Sequence, residues 1–327
     1  MLIASPRIPV IRRVFTIAAL AICALPAMSQ EWPSRPIRVI VSFPPGSSPD
    51  VIARAVAPGL QQALGQPIVI ENKAGASGTL GADFVAKSDP DGYTVLMTSG
   101  SSMAIAIHTF DRLPFNPTKD LLPVAAGARL DLYLVARPSP SYKTYAEFQR
   151  YLQANPGKLT YASPGTGSAP HIAAELFKSK TKSYAVHIPY KGSAPALQDL
   201  LAGVVDFTFD PGIALNFVRS GKLSLLAVGA PKRLESFPDV PTLNELGVKD
   251  FDVGTTHAFY VPARTPKAVI DRLNKEINRQ LMQPEVAKQI RQLGAEPTPM
   301  SPTELAQVIA ADSKRYGAIV KEHGIKE

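Results

Sequence analysis

Short loops rich in serine, threonine and glycine join predicted strands to predicted helices, and they hold the residues best suited to chemistry. The first loop covers residues 43–50, with the sequence FPPGSSPD. Ser48 suits a helix N-cap and Pro49 suits the first helical turn. Free amides at a helix start, with the helix dipole behind them, bind anions. The loop is therefore either an anion site or a plain capped turn.

Three further groups follow predicted strands. Residues 98–102 bring together hydroxyls and a glycine, which satisfy local backbone groups or line the crevice of an open α/β sheet. Residues 163–168 (SPGTGS) form a turn whose glycines permit close backbone approach, and His171 behind it is either a donor to a ligand or structural. Asp210 ends an apolar strand, where it binds a ligand group or water, or caps a helix.

The side chains that catalysis or metal binding would require are not arranged for either. The chain has one cysteine, and its five histidines form no HExxH motif and no i, i+4 pair. There is no GxSxG elbow, and residues 163–168 fit neither a dinucleotide fingerprint nor a P-loop. We expect no cofactor, no metal and no enzymatic activity. The alternative function is an exported hydrolase that uses the same loops.

Length and charge set broad limits. The chain has 327 residues, 45% of them hydrophobic, which predicts a globular protein of two domains. The formal net charge of +8 is compatible with nucleic acid, an anionic membrane or an anionic small ligand. No RNA-binding motif or arginine-rich helix is present, so we expect no nucleic-acid partner.

The N-terminus has the pattern of an export signal. Arg7, Arg12 and Arg13 precede an apolar run at residues 14–25, and small residues allow cleavage after Ser29. The run is too short to span a bilayer comfortably, although a retained anchor is the alternative. The arginine pair partly matches a twin-arginine signal, so the export route stays open. We expect a periplasmic protein.

Strands and helices alternate along most of the chain, which predicts an α/β fold with mostly parallel sheets. The predicted strands are residues 37–41, 68–70, 93–98, 132–135, 159–162, 186–188, 204–209, 225–228 and 259–261. The predicted helices are residues 50–64, 79–87, 144–154, 171–178, 193–202, 266–281, 284–293 and 302–321. The last three helices follow one another without strands, so we expect them to pack on an earlier sheet.

An ordered series of short motifs resembles the Bug family, the substrate-binding components of tripartite tricarboxylate transporters. The motifs include WPSRPI at 32–37, VIENKAGASG at 69–78, DPDGYT at 89–94, GTGS at 165–168, HIPYKGS at 187–193, VPT at 240–242 and LGAE at 293–296. They cover essentially the whole chain after the export signal. Their order is more specific than any single motif.

The resemblance implies a two-lobed, type II-like periplasmic binding protein. It has two sheets flanked by helices and a hinge of two crossovers, near residues 128–132 and 253–256. The implied division is a cleaved signal peptide at 1–29, lobe 1 at 30–130 and 255–327, and lobe 2 at 131–254. The implied ligand-binding residues lie on loops of both lobes: Ser47, Ser48, Asp50, Ser99, Ser101, Ser102, Ser163, Gly165, Thr166, Gly167, Ser168, His171, Asp210 and Thr256.

The implied function is capture of a carboxylated organic acid by hinge closure. The ligand would be a di- or tricarboxylate, an amino acid or an aromatic acid, delivered by a monomer to membrane permease subunits or to a sensor. The chain departs from the family pattern at Ser47, Pro49, Pro211 and Thr256. Pro49 has no amide hydrogen, which removes one anion donor. Thr256 replaces the family's usual tryptophan, which could admit a bulkier or aromatic acid.

Overall fold

The computed structural model describes residues 32–325, so the predicted export signal at 1–29 lies outside the described residues. The compact unit that begins at Arg35 contains two β-sheets with helices around them. The strands are β1 (Ile37–Val41), β2 (Ile68–Asn72), β3 (Thr94–Thr98), β4 (Leu121–Leu130), β5 (Leu132–Ala136), β6 (Thr160–Ser163), β7 (Val186–Pro189), β8 (Phe207–Asp210), β9 (Ser224–Gly229), β10 (Thr255–Pro262) and β11 (Glu296–Pro297).

The helices lie between these strands and after them. They are α1 (Ser48–Leu64), α2 (Thr79–Ala86), α3 (Ala106–Thr109), α4 (Tyr145–Ala154), α5 (Ala169–Thr181), α6 (Ser193–Leu201), α7 (Leu215–Arg219), α8 (Lys267–Leu281), α9 (Pro284–Gln292) and α10 (Pro302–His323). A π-helical turn, Ser101–Ile105, leads into α3. A capping box formed by Thr144 and Glu147 begins α4.

Both sheets are mixed. The first sheet has the order β11-β4-β10-β3-β1-β2, and the second has the order β7-β6-β8-β5-β9. The parallel pairs are β1–β2, β1–β3, β6–β7 and β6–β8. The antiparallel pairs are β3–β10, β4–β10, β4–β11, β5–β8 and β5–β9. The expectation of mostly parallel sheets was therefore wrong, because β5 and β10 insert antiparallel to their neighbours.

Two chain segments connect the sheets. Asp131 separates β4 of the first sheet from β5 of the second, and the return segment reaches β10 of the first sheet through residues 230–254. Every residue of β5 and of β10 is buried, including the polar Thr255, Thr256 and His257 at the start of β10. The chain thus has two sheets joined by two crossovers, as the two-lobed prediction required.

The C-terminal helices pack on the first sheet, as predicted. Helices α8 and α10 both contact β4. Helix α10 also reaches the other sheet, since Tyr316 and Val320 join the hydrophobic core around β5, β8 and α5. Within residues 32–325, no helix combines the length and hydrophobicity that a membrane crossing requires.

Candidate functional site

A small cavity lies where the loops that follow strands of the first sheet meet those that follow strands of the second. Its volume is about 20 Å³, which is room for roughly one water molecule. The lining residues are Phe43, Ser47, Ser48, Pro49, Ser99, Ser101, Leu132, Pro164, Ala169, Pro170, Ser193, Pro211, Thr255 and His257. None of these lining residues is a lysine, an arginine or an acid.

Three helices begin at this cavity. Ser48 opens α1, Ala169 opens α5 and Ser193 opens α6, and all three residues line it. The N-terminus of a helix carries about half a positive charge and unpaired amides. Neither Ser47 before α1 nor Gly192 before α6 caps its helix through a side chain, whereas Ser168 Oγ caps α5 and Ser101 Oγ accepts the Ala169 amide. The cavity therefore favours an anion without using a charged side chain.

A larger groove, of about 750 Å³, lies beside the crossovers. Its arginines are engaged by carboxylates: Arg129 with Asp252, Arg233 with Glu245 and Arg291 with Glu296. These ion pairs neutralise the three arginines, which leaves Lys232 as the other cation that lines the groove. The small cavity, with its three helix starts, is the better anion site.

Asp50 shapes the first loop from behind. Its buried carboxylate accepts hydrogen bonds from the Gly46 amide at 2.9 Å, Asn72 Nδ2 at 2.8 Å and Arg54 Nε at 2.9 Å. Burial alone would raise the pKa of Asp50, but the bonds from Arg54, Asn72 and Gly46 outweigh it and lower that pKa. Asp50 does not line the cavity; it holds the loop that does.

Ser48 and His257 form a buried pair on the cavity wall. Ser48 Oγ lies 2.8 Å from His257 Nε2, and in the described part of the chain His257 Nδ1 has no hydrogen-bond partner. Burial lowers the pKa of His257 to about 3, so the imidazole is neutral. A serine beside a histidine has the geometry of a nucleophile and its base. However, no carboxylate orients this ring, and so low a pKa makes it a poor base.

The 98–102 loop divides into two lining residues and one anchor. Ser99 and Ser101 line the cavity, and Ser101 Oγ accepts the Ala169 amide of α5 at 3.2 Å. Ser102 instead bonds to Thr98 Oγ1 at 2.6 Å and donates to the Ser99 carbonyl at 3.3 Å. Ser102 thus secures the end of β3.

Residues 163–168 are held from both sides. The Thr166 carbonyl accepts a hydrogen bond from Ser77 Oγ at 2.6 Å, which links this loop of the second sheet to a loop of the first. Gly167 has φ of 73°, and a Cβ there would lie 2.6 Å from Thr109 Oγ1, so only glycine fits. Ser163 Oγ bonds to His187 Nε2 at 2.7 Å. Ser163, Gly165, Thr166, Gly167 and Ser168 surround the cavity without lining it.

His171 lies under this loop. Its Nδ1 accepts the Gly167 amide at 3.1 Å, its own amide donates to Ser168 Oγ at 3.4 Å, and its ring stacks on His187 with centroids 4.2 Å apart. Burial lowers the pKa of His171 to about 4 and that of His187 to about 3. In this arrangement His171 positions the loop.

Asp210 and Thr256 also lie behind the cavity wall. Asp210 Oδ1 accepts the Gly212 amide at 2.7 Å and the Ala214 amide at 2.8 Å, and burial raises the pKa of Asp210 to about 7. Its neighbour Pro211 lines the cavity. Thr256 is buried in β10, where alternation turns Thr255 and His257 toward the cavity instead.

Several lining residues were not anticipated from the sequence. They are Phe43, Leu132, Pro164, Ala169, Pro170, Ser193, Thr255 and His257. Ser193 could have been found, because it opens a helix after the Tyr190-Lys191-Gly192 turn, like the other loops. The faces of Thr255 and His257 depend on how β10 pairs with β3 and β4, which the local sequence does not encode.

Comparison with known proteins gives consistent matches. Residues 52–325 match the family described as the tripartite tricarboxylate transporter family receptor. Protein BugT of Bordetella pertussis is 38% identical over 306 residues, which cover 93% of this chain and 94% of BugT.

Solved structures agree with the sequence matches. The periplasmic binding protein BugD superposes with a TM-score of 0.87 at 31% identity, over 90% of this chain and 99% of that one. MatC from Rhodopseudomonas palustris, with bound malate, superposes with a TM-score of 0.84 at 34% identity, over 88% of this chain and 100% of that one. This chain is similar to all three proteins across most of their length.

Proposed function

The chain belongs to the tripartite tricarboxylate transporter receptor family, and on that premise we propose that it is a solute-binding protein for a carboxylated organic acid. The observation that carries this proposal is the convergence of three helix N-termini on one cavity without a charged side chain in its wall. A carboxylate complements this arrangement, because amides and hydroxyls donate hydrogen bonds to it and the dipoles stabilise its charge. The malate held by MatC supports the same ligand class.

We assign the direct ligand contacts to the hydroxyls and amides of two loops on the first sheet, at Ser47, Ser48, Ser99 and Ser101. The loop at 163–168 and the turn at Asp210 supply the opposing wall. Asp50, His171 and Ser102 hold these loops in place through the hydrogen bonds described above. Thr256 sets the packing of β10 behind the wall.

Binding requires the two lobes to separate and close again. The cavity of about 20 Å³ is smaller than any organic acid, so a ligand enters only when the loops part. Parting breaks the Ser77–Thr166 and Ser101–Ala169 hydrogen bonds and leaves the crossovers as the hinge. We place lobe 1 at residues 30–130 and 255–327 and lobe 2 at 131–254. The membership of the strands in two sheets supports these bounds. Ligand contacts from both lobes would stabilise the closed state.

We place the protein in the periplasm as a monomer, after removal of the signal peptide at 1–29. The family of transporter receptors to which the chain belongs supports this location. Its partners would be permease subunits in the membrane or a sensor. We propose that it releases its ligand chemically unchanged, since the Ser48–His257 pair lacks an orienting carboxylate.

A thermal-shift screen of mono-, di- and tricarboxylates, with aromatic acids included, tests this function. At one hundred times its Kd, a ligand stabilises the folded protein by about 2.7 kcal/mol, so at least one acid should raise the Tm clearly. Mass spectrometry should recover that acid unchanged.

Matched controls sharpen the screen. The amide of the same acid lacks the charge and should not shift the Tm. Ser101→Ala should weaken binding, whereas Ser236→Ala, in the larger groove, should not. Absence of any Tm shift, or conversion of the acid into a product, would contradict the proposed function.

A further inference from the structure

His257 lines the cavity and carries an unused hydrogen-bonding atom. Only 3% of the residue's surface is exposed, and its Nε2 is occupied by Ser48 Oγ at 2.8 Å. Its Nδ1 is buried and has no hydrogen-bond partner among residues 32–325. Buried polar atoms in folded proteins are nearly always hydrogen-bonded, so an unpaired one at a binding cavity needs an explanation. A ligand that supplies the missing hydrogen bond is such an explanation.

The chemistry of the pair defines the group that fits. A neutral imidazole has one N–H donor and one acceptor nitrogen. If Ser48 donates to Nε2, Nδ1–H is the free donor. If Nε2–H donates to Ser48, Nδ1 is a free acceptor and the serine hydroxyl is free to donate. In either tautomer, a ligand hydroxyl can form the missing hydrogen bond with Nδ1, because a hydroxyl both donates and accepts.

The absence of charged side chains among the residues that line the cavity also favours an uncharged ligand group beside His257. Ser48 is the first residue of α1, and the residues that line the cavity include no aspartate, glutamate, lysine or arginine. The helix starts account for one carboxylate, whereas the histidine is uncharged. A second carboxylate at His257 would have no cation to compensate for its desolvation. An uncharged polar group is the better match there.

We propose that His257 is a specificity-determining residue that selects hydroxycarboxylates, by hydrogen bonding to a hydroxyl group of the acid whose carboxylate lies at the helix starts. This inference rests on the proposed function, since it names the class of acid that the same cavity binds. It assigns a recognition role to a residue of β10 that neither the loop motifs nor the family resemblance indicated.

Pairs of acids that differ by one hydroxyl test the assignment. The probes are malate with succinate, lactate with propionate, and mandelate with phenylacetate, measured by calorimetric titration. We expect the protein to bind the hydroxylated member of at least one pair about tenfold or more tightly, because a site built to hydrogen-bond a hydroxyl rejects the analogue without it.

Two substitutions separate recognition from packing. His257→Phe retains a ring of similar size without nitrogen atoms, and it should bring the affinity ratio of that pair to about one. His257→Asn retains a hydrogen-bonding atom near the position of Nδ1 and should keep part of the preference. The Tm of each variant without ligand establishes that it folds. A role in packing alone would weaken both acids equally and leave the ratio unchanged.

The outcomes are distinct for the two claims. If acids bind but no pair shows a hydroxyl preference, or if His257→Phe keeps the preference, this inference is overturned and the solute-binding function stands. If none of the acids binds the unmodified protein, the proposed function itself fails. A hydroxyl preference that His257→Phe abolishes and His257→Asn partly restores supports the inference.

Discussion

Two histidines hold the second-sheet wall of the cavity. His171 accepts the Gly167 amide, and His187 bonds to Ser163 beside it. His171 is buried and His187 is partly buried, and their pKa values fall to about 4 and about 3 because burial penalises the charged form. The sequence singled out His171 as a candidate contact with the ligand. Its hydrogen bonds position the loop, and a direct contact between His171 and a ligand stays a prediction.

This burial predicts an acid-sensitive fold. The folded pKa of His171 lies below its ordinary value of 6.5, so its contribution to stability is present above pH 6.5 and is lost as the pH falls toward 4. His171→Asn removes that proton uptake while keeping an acceptor for Gly167. The free energy of unfolding should therefore fall between pH 7.0 and 4.5 by about 2 kcal/mol less in the variant than in the unmodified protein.

Urea unfolding at the two pH values measures this difference. The variant also loses packing at both pH values, which shifts both free energies together and does not enter the comparison. Parallel pH dependences in the two proteins would show that His171 does not carry the proton linkage.

At the scale of elements, α10 fastens the return crossover. Arg315 of α10 donates to Asp252 at 2.6 Å, to the Gly254 carbonyl at 2.8 Å and to Asp312 at 2.7 Å. Tyr316, the next residue, donates to the Val253 carbonyl. Arg129, at the end of β4, joins the same network through Asp252 at 2.7 Å. One helix thus ties together both segments about which the lobes would rotate.

Removal of this arginine should be costly. Arg315→Met leaves the largely buried carboxylate of Asp312 with less compensation, so we expect a loss of about 2–4 kcal/mol in the free energy of unfolding. Arg291→Met is the matched control, because Arg291 also binds a carboxylate, that of Glu296, but both side chains are more than half exposed. The control should lose less than about 1 kcal/mol. Equal losses in urea unfolding would contradict a structural role for the α10 network.

Most elements could be predicted from local patterns, and the exceptions have physical causes. Strand β4 was missed because LLPVAAGARL contains Pro123, Gly127 and three alanines, which have low strand propensity. Its strand conformation comes from pairing with β10 on one side and β11 on the other. The π-helical turn Ser101–Ile105 begins inside the loop predicted at residues 98–102, and local patterns did not predict it.

The candidate site could be predicted only in part, because some of its residues follow local sequence patterns and others depend on strand pairing. The lining serines of the first two loops stand at strand-to-helix junctions, which the sequence marks clearly, whereas the lining of β10 depends on long-range pairing.

At the scale of the whole molecule, loops from both sheets contribute residues to one cavity, and two crossovers connect the sheets. Loops from the first sheet bring Ser48 and Ser101 to it, and the second sheet brings Ala169 and Ser193. Each lobe alone would present helix starts to solvent. Under the proposed function, only the closed pair of lobes would surround a ligand, which would account for a fold in which the chain passes twice between its sheets.

Closure of the two lobes on a ligand is tested most directly by measuring a distance between the lobes. Leu80 on α2 and Lys191 before α6 are exposed, and they follow strands of the first and of the second sheet respectively. Cysteines introduced there can carry a pair of fluorescent dyes, since the single native cysteine, Cys23, lies in the predicted signal peptide. Energy transfer is then recorded with and without the acid that gives the largest Tm shift. We predict a broad distribution of longer distances without the acid and a single shorter distance at saturation. An unchanged distance distribution with the acid bound would contradict it.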